Sequence, residues 1–216
     1  MMLKNKNNAK LFVISAPSGC GKGTILKEVF KDISVFYSIS CTTRGPREGE
    51  VNGKDYHFIT DEKFKDMIAN NEFLEYAEFV DKSYGTPAAP VLDSLAQGRD
   101  VILEIETKGA FQIKEKIPEA VMIFILAPSI KEIRRRLFKR ATESSEVIEN
   151  RVSQAASEIA KSVNYDYVIM NDALEDAVRD FETVYLSAKN GDHKADKFKA
   201  ENEETINMIN EVLENA

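Results

Sequence analysis

The first segment of the sequence that could do chemistry lies between residues 16 and 24. Its sequence, Ala16-Pro17-Ser18-Gly19-Cys20-Gly21-Lys22-Gly23-Thr24, follows a short apolar run and precedes an amphipathic stretch. Glycines allow backbone N–H groups to turn toward phosphate oxygens, and a helix N-terminus adds partial positive charge. A lysine in such a loop reaches the β- and γ-phosphates of a nucleotide. The segment therefore predicts a phosphate-binding loop between a strand and a helix.

The loop departs from the strict pattern G-x-x-x-x-G-K-S/T at two positions. Ala16 stands where the first glycine belongs, and Gly23 stands where a hydroxyl usually meets Mg²⁺, with Thr24 one place later. A glycine-rich turn with a surface lysine is the alternative interpretation. The strand predicted before the loop and the helix predicted after it favour phosphate binding.

Two groups of arginines could bind phosphate elsewhere in the chain. Arg44 and Arg47 lie three apart in a turn-rich stretch, where two planar guanidinium groups could neutralise a dianionic monophosphate. Arg136 and Arg140 are four apart on a predicted helix and share a face. Arg44 and Arg47 could instead be solvated surface charges, and we expect Arg134 and Arg135, next to Arg136, on a solvated face.

Acidic residues at a strand end form a further candidate site. Glu104 and Glu106 are two apart on a predicted strand, so we expect them on one face. They fall at the carboxyl end of that strand, where open α/β sheets bind ligands. An exposed acidic pair is the alternative interpretation.

The composition limits the classes of function. The net charge of −7 argues against a broad nucleic-acid surface, and two cysteines with two histidines give neither a disulfide framework nor a His-rich metal site. No apolar run approaches the roughly 20 residues of a membrane-spanning helix. The polar first ten residues lack the apolar segment of a secretory signal. We therefore expect a cytoplasmic protein with no membrane or nucleic-acid partner.

Apolar runs alternate with amphipathic stretches, as in a parallel sheet covered by helices. The predicted strands are 11–15, 101–105, 121–126 and 167–170, and the predicted helices are 24–31, 87–97, 109–116 and 130–140. In the polar stretch between them, Asn52-Gly53 predicts a hairpin, Thr60 predicts the cap of a short helix, and 73–79 predicts a strand. Apolar residues at helical spacing predict a terminal helix, docked on its own core or forming a dimer contact: Ile206, Ile209, Val212 and Leu213.

Several longer motifs occur in a fixed order along the chain. They are SISCTTRGPREGEVNGKDYHF at 38–58, FLEYAEF at 73–79, YGTP at 84–87, VILEIETKGA at 101–110, PSIKEIRRRLFKR at 128–140 and VIMND at 168–172. Together they resemble the guanylate kinase family over about residues 10–189. The resemblance implies a P-loop kinase core of parallel β-sheet flanked by helices, with an inserted mixed α+β GMP-binding subdomain and a short helical lid.

The resemblance also implies how the chain is divided and what it does. The core would comprise about 10–37, 88–137 and 152–189, the GMP-binding subdomain about 38–87, the lid about 138–151, and a C-terminal linker and helix 190–216. The activity would be transfer of the γ-phosphoryl group of ATP to GMP or dGMP, giving ADP and GDP, with Mg²⁺ arriving with ATP. Closure of the subdomain and the lid would exclude water from the reaction.

Site residues follow from the resemblance by position. The catalytic residues would be Lys22, Arg136, Arg140 and Arg151. The ATP-binding residues would be Ala16, Pro17, Ser18, Gly19, Cys20, Gly21, Lys22, Gly23, Thr24 and Asn171, with Asn171 near the adenine. The GMP-binding residues would be Ser40, Arg44, Arg47, Tyr56, Glu75, Tyr84, Thr86 and Glu104. Thr24 and Glu106 would contact Mg²⁺, directly or through water.

Two other functions are compatible with parts of this pattern. One is a kinase for another nucleoside monophosphate, against which Glu75 argues because a carboxylate pairs with the N1–H and N2–H₂ edge of guanine. The other is a non-catalytic guanylate-kinase-like interaction module, against which Lys22 and the arginines argue. The sequence leaves open whether the protein is a monomer or a homodimer.

Overall fold

The computed structural model describes residues 8–79, 81–139 and 145–214. Its strands are β1 (Leu11–Ser15), β2 (Phe36–Tyr37), β3 (Cys41–Thr42), β4 (His57–Phe58), β5 (Phe73–Phe79), β6 (Lys82–Pro87), β7 (Val101–Glu104), β8 (Val121–Leu126) and β9 (Tyr167–Met170). Its helices are α1 (Lys22–Val29), α2 (Asp61–Ala69), α3 (Ala88–Ala96), α4 (Thr107–Lys116), α5 (Ile130–Lys139), α6 (Ser145–Ile159), α7 (Leu174–Asn190) and α8 (Glu203–Glu214).

The strands form two sheets, as the predicted fold class requires. Five strands form a parallel sheet in the order β2-β7-β1-β8-β9, and four form a mixed sheet in the order β4-β3-β6-β5. In the mixed sheet β3 pairs with β4 in parallel, whereas β3 with β6 and β5 with β6 are antiparallel. The long strands of the parallel sheet are buried along their whole length, because helices cover both faces of such sheets.

The chain divides into two compact units. Of the described residues, the first unit holds 8–13, 34–79 and 81–120, and the second holds 14–33, 121–139 and 145–214. The mixed sheet and helices α2, α3 and α4 belong to the first unit. Helices α1 and α5 to α8 belong to the second, with β8 and β9.

A small apolar core supports the mixed sheet of the first unit. Phe64 and Met67 of α2 pack with Cys41 and Phe73, and Ile59 and Ile68 lie against this cluster. The helix begins where predicted, because the Thr60 side chain accepts a hydrogen bond from the Lys63 N–H at 3.2 Å.

The predicted hairpin at Asn52-Gly53 is wrong. Gly53 does form a turn with φ of 78° and donates its N–H to the Tyr56 carbonyl. However, the flanking strands β3 and β4 pair in parallel, so the turn does not join antiparallel neighbours. The Asn-Gly pair predicts the turn correctly, but it does not determine with which strand, or in which direction, the next strand pairs.

The C-terminal helix α8 packs within the second unit. Ile209 and Val212 are each 1% exposed, and α8 contacts α6. Ile206 lies at the edge of this face and is partly exposed. This arrangement agrees with a terminal helix docked on its own core. Among the described residues, no helix combines the length and apolarity needed to cross a membrane.

Candidate active site

The glycine-rich loop joins β1 to α1 as predicted. Gly19 and Gly21 have φ of 91° and 80°, in the left-handed region that favours glycine. A Cβ at Gly21 would also lie 2.5 Å from the Asn171 Nδ2 atom. The left-handed residue Gly21 starts the helix at Lys22, two residues before the predicted start, since Thr24 and Ile25 donate their N–H groups to the Gly21 carbonyl. The N-terminus of α1, with its partial positive charge, therefore follows the loop directly and suits an anion.

The other loop residues differ in exposure. Lys22 and Ala16 are half-buried, whereas Ser18 and Thr24 are exposed. The turn is closed by the Cys20 N–H, which donates to the Pro17 carbonyl at 3.2 Å. Burial raises the pKa of the Cys20 thiol to about 12, so this side chain stays protonated at neutral pH.

Asn171 supports the loop from the end of β9. Its Nδ2 donates to the Cys20 carbonyl at 2.6 Å, and its backbone N–H donates to the Leu126 carbonyl at 2.7 Å. We expected an adenine contact at this residue and did not foresee the contact with the loop. The signal available in the sequence is a polar residue placed directly after a buried strand.

Arg136 contacts Asn171, the residue that supports the glycine-rich loop in the second unit. Its Nε donates to Glu132 Oε1 at 2.6 Å, and its Nη2 donates to the Asn171 carbonyl at 3.1 Å. Hydrogen bonds from Arg135 and Arg136 lower the pKa of Glu132 to about 2. Arg134 instead pairs with Glu149 at 3.0 Å on an exposed face, as expected for a solvated arginine.

Of the two other arginines predicted to act from the lid, the structure describes one. Arg151 lies half-buried on α6. Arg140 and the segment 141–144 lie outside the described residues.

In the first unit, the predicted phosphate-binding residues gather around Arg44. The Arg44 guanidinium lies 5.4 Å from the centre of the Tyr56 ring, and the Tyr56 and Tyr84 rings are 5.9 Å apart. Arg47 is exposed in the same loop. Arg44, Tyr56 and Tyr84 are therefore neighbours in space, and Arg47 follows Arg44 closely in the chain.

Glu50 is a residue of this cluster that sequence reasoning missed. Its two carboxylate oxygens accept hydrogen bonds from Arg44 Nη1 and Nη2, each at 2.8 Å, and one accepts the Arg47 backbone N–H at 2.7 Å. This pairing lowers the pKa of Glu50 and raises the pKa of Arg44. A phosphate that binds Arg44 therefore competes with Glu50 for the same guanidinium.

Glu75 forms a second, buried feature of the first unit. It is 4% exposed, and Thr86 Oγ1 donates to its Oε1 at 2.6 Å. Burial raises the pKa of the Glu75 carboxyl. Gly109 lies against this side chain so closely that a Cβ there would be 2.8 Å from the Glu75 Cδ. The half-buried Ser40 precedes β3, and its carbonyl accepts the His57 N–H at 2.9 Å.

Glu104 and Glu106 are not on one strand, so that expectation is wrong. Strand β7 ends at Glu104, and Glu106 is the exposed residue that precedes α4, whose Ala110 N–H donates to the Glu106 carbonyl at 2.9 Å. The Glu104 carboxylate accepts a hydrogen bond from the Tyr37 hydroxyl, a contact the sequence did not reveal. Within the described ranges, no group of three or more His, Cys, Asp or Glu side chains could hold a metal ion.

Comparison with known proteins shows the family of the chain. The family model described as guanylate kinase matches residues 8–214. The chain belongs to the guanylate kinase family.

Individual members of the guanylate kinase family resemble the chain over most of its length. A guanylate kinase of Thermus thermophilus is 51% identical, with 80% of this chain and 78% of that protein covered. One of Carboxydothermus hydrogenoformans is 52% identical, with 83% and 88% covered. The crystal structure of guanylate kinase from Anaplasma phagocytophilum superposes with a TM-score of 0.70 at 32% identity, covering 85% of this chain and 88% of that one.

Proposed function

We propose that this chain is a guanylate kinase, which transfers the γ-phosphoryl group of ATP to GMP and gives ADP and GDP. The observation that carries the proposal is Glu75, a buried carboxylate held at one oxygen by Thr86. A buried carboxylate is stabilised by ligand N–H groups, and the guanine edge offers N1–H and N2–H₂ together. Adenine lacks that paired edge and would leave the charge unsatisfied. Since this recognition involves the base, we propose dGMP as a second acceptor.

We assign GMP binding to the first unit. Arg44, Arg47, Tyr56 and Tyr84 bind the phosphate, and Ser40, Glu75, Thr86 and Glu104 bind the base. The contact of Arg44 with Glu50 supports this assignment, because it keeps a guanidinium ionised and oriented until a dianion replaces the carboxylate. The domain boundaries implied by the resemblance, with a GMP-binding subdomain of about 38–87, remain part of the proposal.

We assign ATP binding to the second unit. The backbone of residues 16–24 surrounds the phosphates, and Lys22 stabilises the charge on the β- and γ-phosphates. Arg136, Arg140 and Arg151 stabilise the phosphoryl group in flight. We also propose that Asn171 lies near the adenine, where its Oδ1 accepts the adenine amino group, because its Nδ2 donates to the Cys20 carbonyl.

The residues fit a Mg²⁺ ion that arrives with ATP. Mg²⁺ prefers substrate phosphates, waters and one or two protein oxygens over an all-protein cage. Thr24 is the first hydroxyl in α1, and Glu106 is an exposed carboxylate, so we propose Thr24 as the loop's oxygen ligand and Glu106 as a contact through water. When bound, the ion neutralises charge on the β- and γ-phosphates.

The chemistry requires no covalent intermediate with the protein. A phosphate oxygen of GMP attacks the γ-phosphorus in line, the bond to the β-phosphate oxygen breaks, and ADP leaves. The protein supplies positions and positive charge, which are worth most where water is excluded. Lys22 and the arginines meet the charge that spreads over the transferring group.

We extend the proposal to compartment and partners. Cys20 and Cys41 are free thiols, as is usual in a reducing compartment, and we propose the cytoplasm. The net charge of −7 supports nucleotides as the partners in place of nucleic acid. The burial of Ile209 and Val212 within their own unit supports a monomer over a homodimer formed through α8.

A substrate panel tests the proposal against its rivals. Purified protein is assayed for ADP release with GMP, dGMP, AMP, CMP and UMP at equal concentrations, with Lys22→Met as the matched inactive variant. We expect turnover with GMP and dGMP, and a loss of about 10³-fold or more in Lys22→Met, because the lysine charge acts in the transition state.

Each rival predicts a different pattern in the same panel. A preference for AMP or UMP would overturn the assignment of Glu75 to guanine. Turnover with none of the five would favour a non-catalytic interaction module. Near-wild-type turnover in Lys22→Met would contradict the assignment of the phosphate loop.

A further inference from the structure

Glu132 on α5 contacts two neighbouring arginines at once. Its Oε1 accepts hydrogen bonds from Arg135 Nη2 and Arg136 Nε, and its Oε2 accepts one from Arg135 Nε, all at 2.6 Å. Arg135 is largely exposed, whereas Glu132 and Arg136 have side chains that are 21% and 22% exposed. The ion pair of Glu132 with Arg136 is therefore less exposed than the pair of Glu132 with Arg135, and solvent screens its electrostatic attraction less.

Arg136 is held from a second direction by the residue that supports the phosphate loop. Its Nη2 donates to the carbonyl of Asn171, whose side chain donates to the carbonyl of Cys20. A continuous chain of hydrogen bonds thus runs from Glu132 through Arg136 and Asn171 to the loop. The contacts of Arg136 with described residues use Nε and Nη2, and Nη1 takes no part in them.

We propose that Glu132 is a positioning residue for phosphoryl transfer, which fixes Arg136 at Nε so that Nη1 meets the transferring phosphoryl group. The inference rests on the proposed function and deepens it. A guanidinium is planar, so two contacts on Nε and Nη2 define the plane in which Nη1 lies. Without the negative charge, the contact at Nε is weaker, so Arg136 samples more rotamers, and each misplacement lowers transition-state stabilisation.

A purely structural role for Glu132 is the competing explanation. Ser129 Oγ accepts the Glu132 backbone N–H at 3.1 Å, and the two residues have the spacing of a helix capping box. In that case Glu132 would stabilise the start of α5 and would affect activity only through the stability of the fold.

The first test compares Glu132→Gln with Glu149→Gln. Glu149 makes a similar contact with an arginine of the same helix, Arg134, at 3.0 Å, but outside the proposed machinery. We expect Glu132→Gln to lower kcat by about tenfold with KM for GMP and ATP within about twofold of wild type, because Arg136 acts on the transition state. Glu149→Gln should keep kcat within about twofold of wild type.

The second test separates positioning from stability by a double-mutant cycle. In the Arg136→Met background, Glu132→Gln should have no further effect on kcat, since the group that it positions is absent. An additional tenfold loss in that background would overturn the inference, as would equal kcat values for Glu132→Gln and Glu149→Gln in the wild-type background. Thermal unfolding of each variant shows whether any loss of activity follows a loss of folded protein.

The proposed function and the positioning role of Glu132 fail under different results. The proposed function fails if the wild-type protein does not phosphorylate GMP. The positioning role fails if wild type is active and the Glu132 variant matches its control.

Discussion

We propose that single side chains in the first unit determine which base the protein accepts. Glu75 is buried with a raised pKa and accepts a hydrogen bond from Thr86, so N–H donors from a ligand would further stabilise its ionised form. A neighbouring glutamate of the same strand, Glu78, is exposed. The two residues differ in environment and not in type, which makes Glu78 a matched control for Glu75.

We predict that Glu75→Gln lowers kcat/KM for GMP by about 100-fold, because an amide presents one acceptor and one donor where guanine offers two donors. KM for ATP should change by less than about twofold, and Glu78→Gln should resemble wild type. Steady-state kinetics with GMP as the varied substrate measure both. If Glu75→Gln and Glu78→Gln changed kcat/KM for GMP equally, the assignment of Glu75 to base recognition would be wrong.

Tyr37 is a second residue that we connect with the base site. Its hydroxyl donates to Glu104, and desolvation of the hydroxyl together with the Glu104 charge raises the pKa of Tyr37, so the hydroxyl stays protonated and acts as the donor. We predict that Tyr37→Phe raises KM for GMP by about threefold to tenfold by releasing Glu104. Tyr76→Phe is the control, since Tyr76 is exposed to a similar extent and its ring packs on Phe73. If the two variants have the same KM for GMP, Tyr37 does not position Glu104.

At the scale of elements, the loop before α1 requires glycine at one position, whereas the first turn of α1 tolerates a side chain in place of a glycine. Gly21 combines φ of 80° with the close approach of Asn171, whereas a Cβ at Gly23 would meet nothing within 4 Å. Gly23 also lies inside α1, where alanine is favoured over glycine by about 1 kcal/mol. The two glycines should therefore respond to the same substitution with opposite signs.

We predict that Gly21→Ala lowers Tm by roughly 3–8 °C, from a cost of about 1–2 kcal/mol for the left-handed backbone. Gly23→Ala should leave Tm unchanged or raise it by a few degrees. Differential scanning calorimetry of the two variants beside wild type checks the signs. An unchanged Tm for Gly21→Ala would contradict the left-handed backbone conformation of Gly21.

Acid should destabilise α5 through Glu132. Its pKa is lowered from 4.5 to about 2, first by the hydrogen bonds from Arg135, so its contribution is present above pH 4.5 and is lost as the pH falls toward 2. We predict that wild type loses more stability between those pH values than Glu132→Gln does. Urea unfolding at several pH values measures this, and parallel curves for the two proteins would show that Glu132 does not contribute.

The parallel core could be predicted from sequence more closely than the contacts of the site. Strands β1, β8 and β9 match the predicted ranges, because continuous apolar runs have few alternatives to a buried strand. The pairing of β4 with β3 and the end of β7 at Glu104 depend on residues distant in sequence, so local patterns mispredicted them. Tyr37 and Asn171 contact partners 67 and 151 residues away, which a local pattern does not reveal. Glu50 lies six residues from Arg44, and their pairing depends on the fold of the loop between them.

At the scale of the molecule, the two substrates are assigned to different units of one chain. The first unit carries the residues proposed for GMP, and the second carries the phosphate loop, Arg136 and Arg151. Phosphoryl transfer needs both substrates at once, because the acceptor oxygen must replace water as the nucleophile. A protein that binds ATP without the acceptor should therefore release little phosphate.

The central claim is tested most directly by identifying the products. The wild-type protein is incubated with ATP, Mg²⁺ and GMP, and the nucleotides are separated and quantified over time. The account predicts ADP and GDP in equal amounts, with no more than a trace of inorganic phosphate. ADP that forms together with free phosphate and without GDP would contradict it, as would unchanged ATP and GMP.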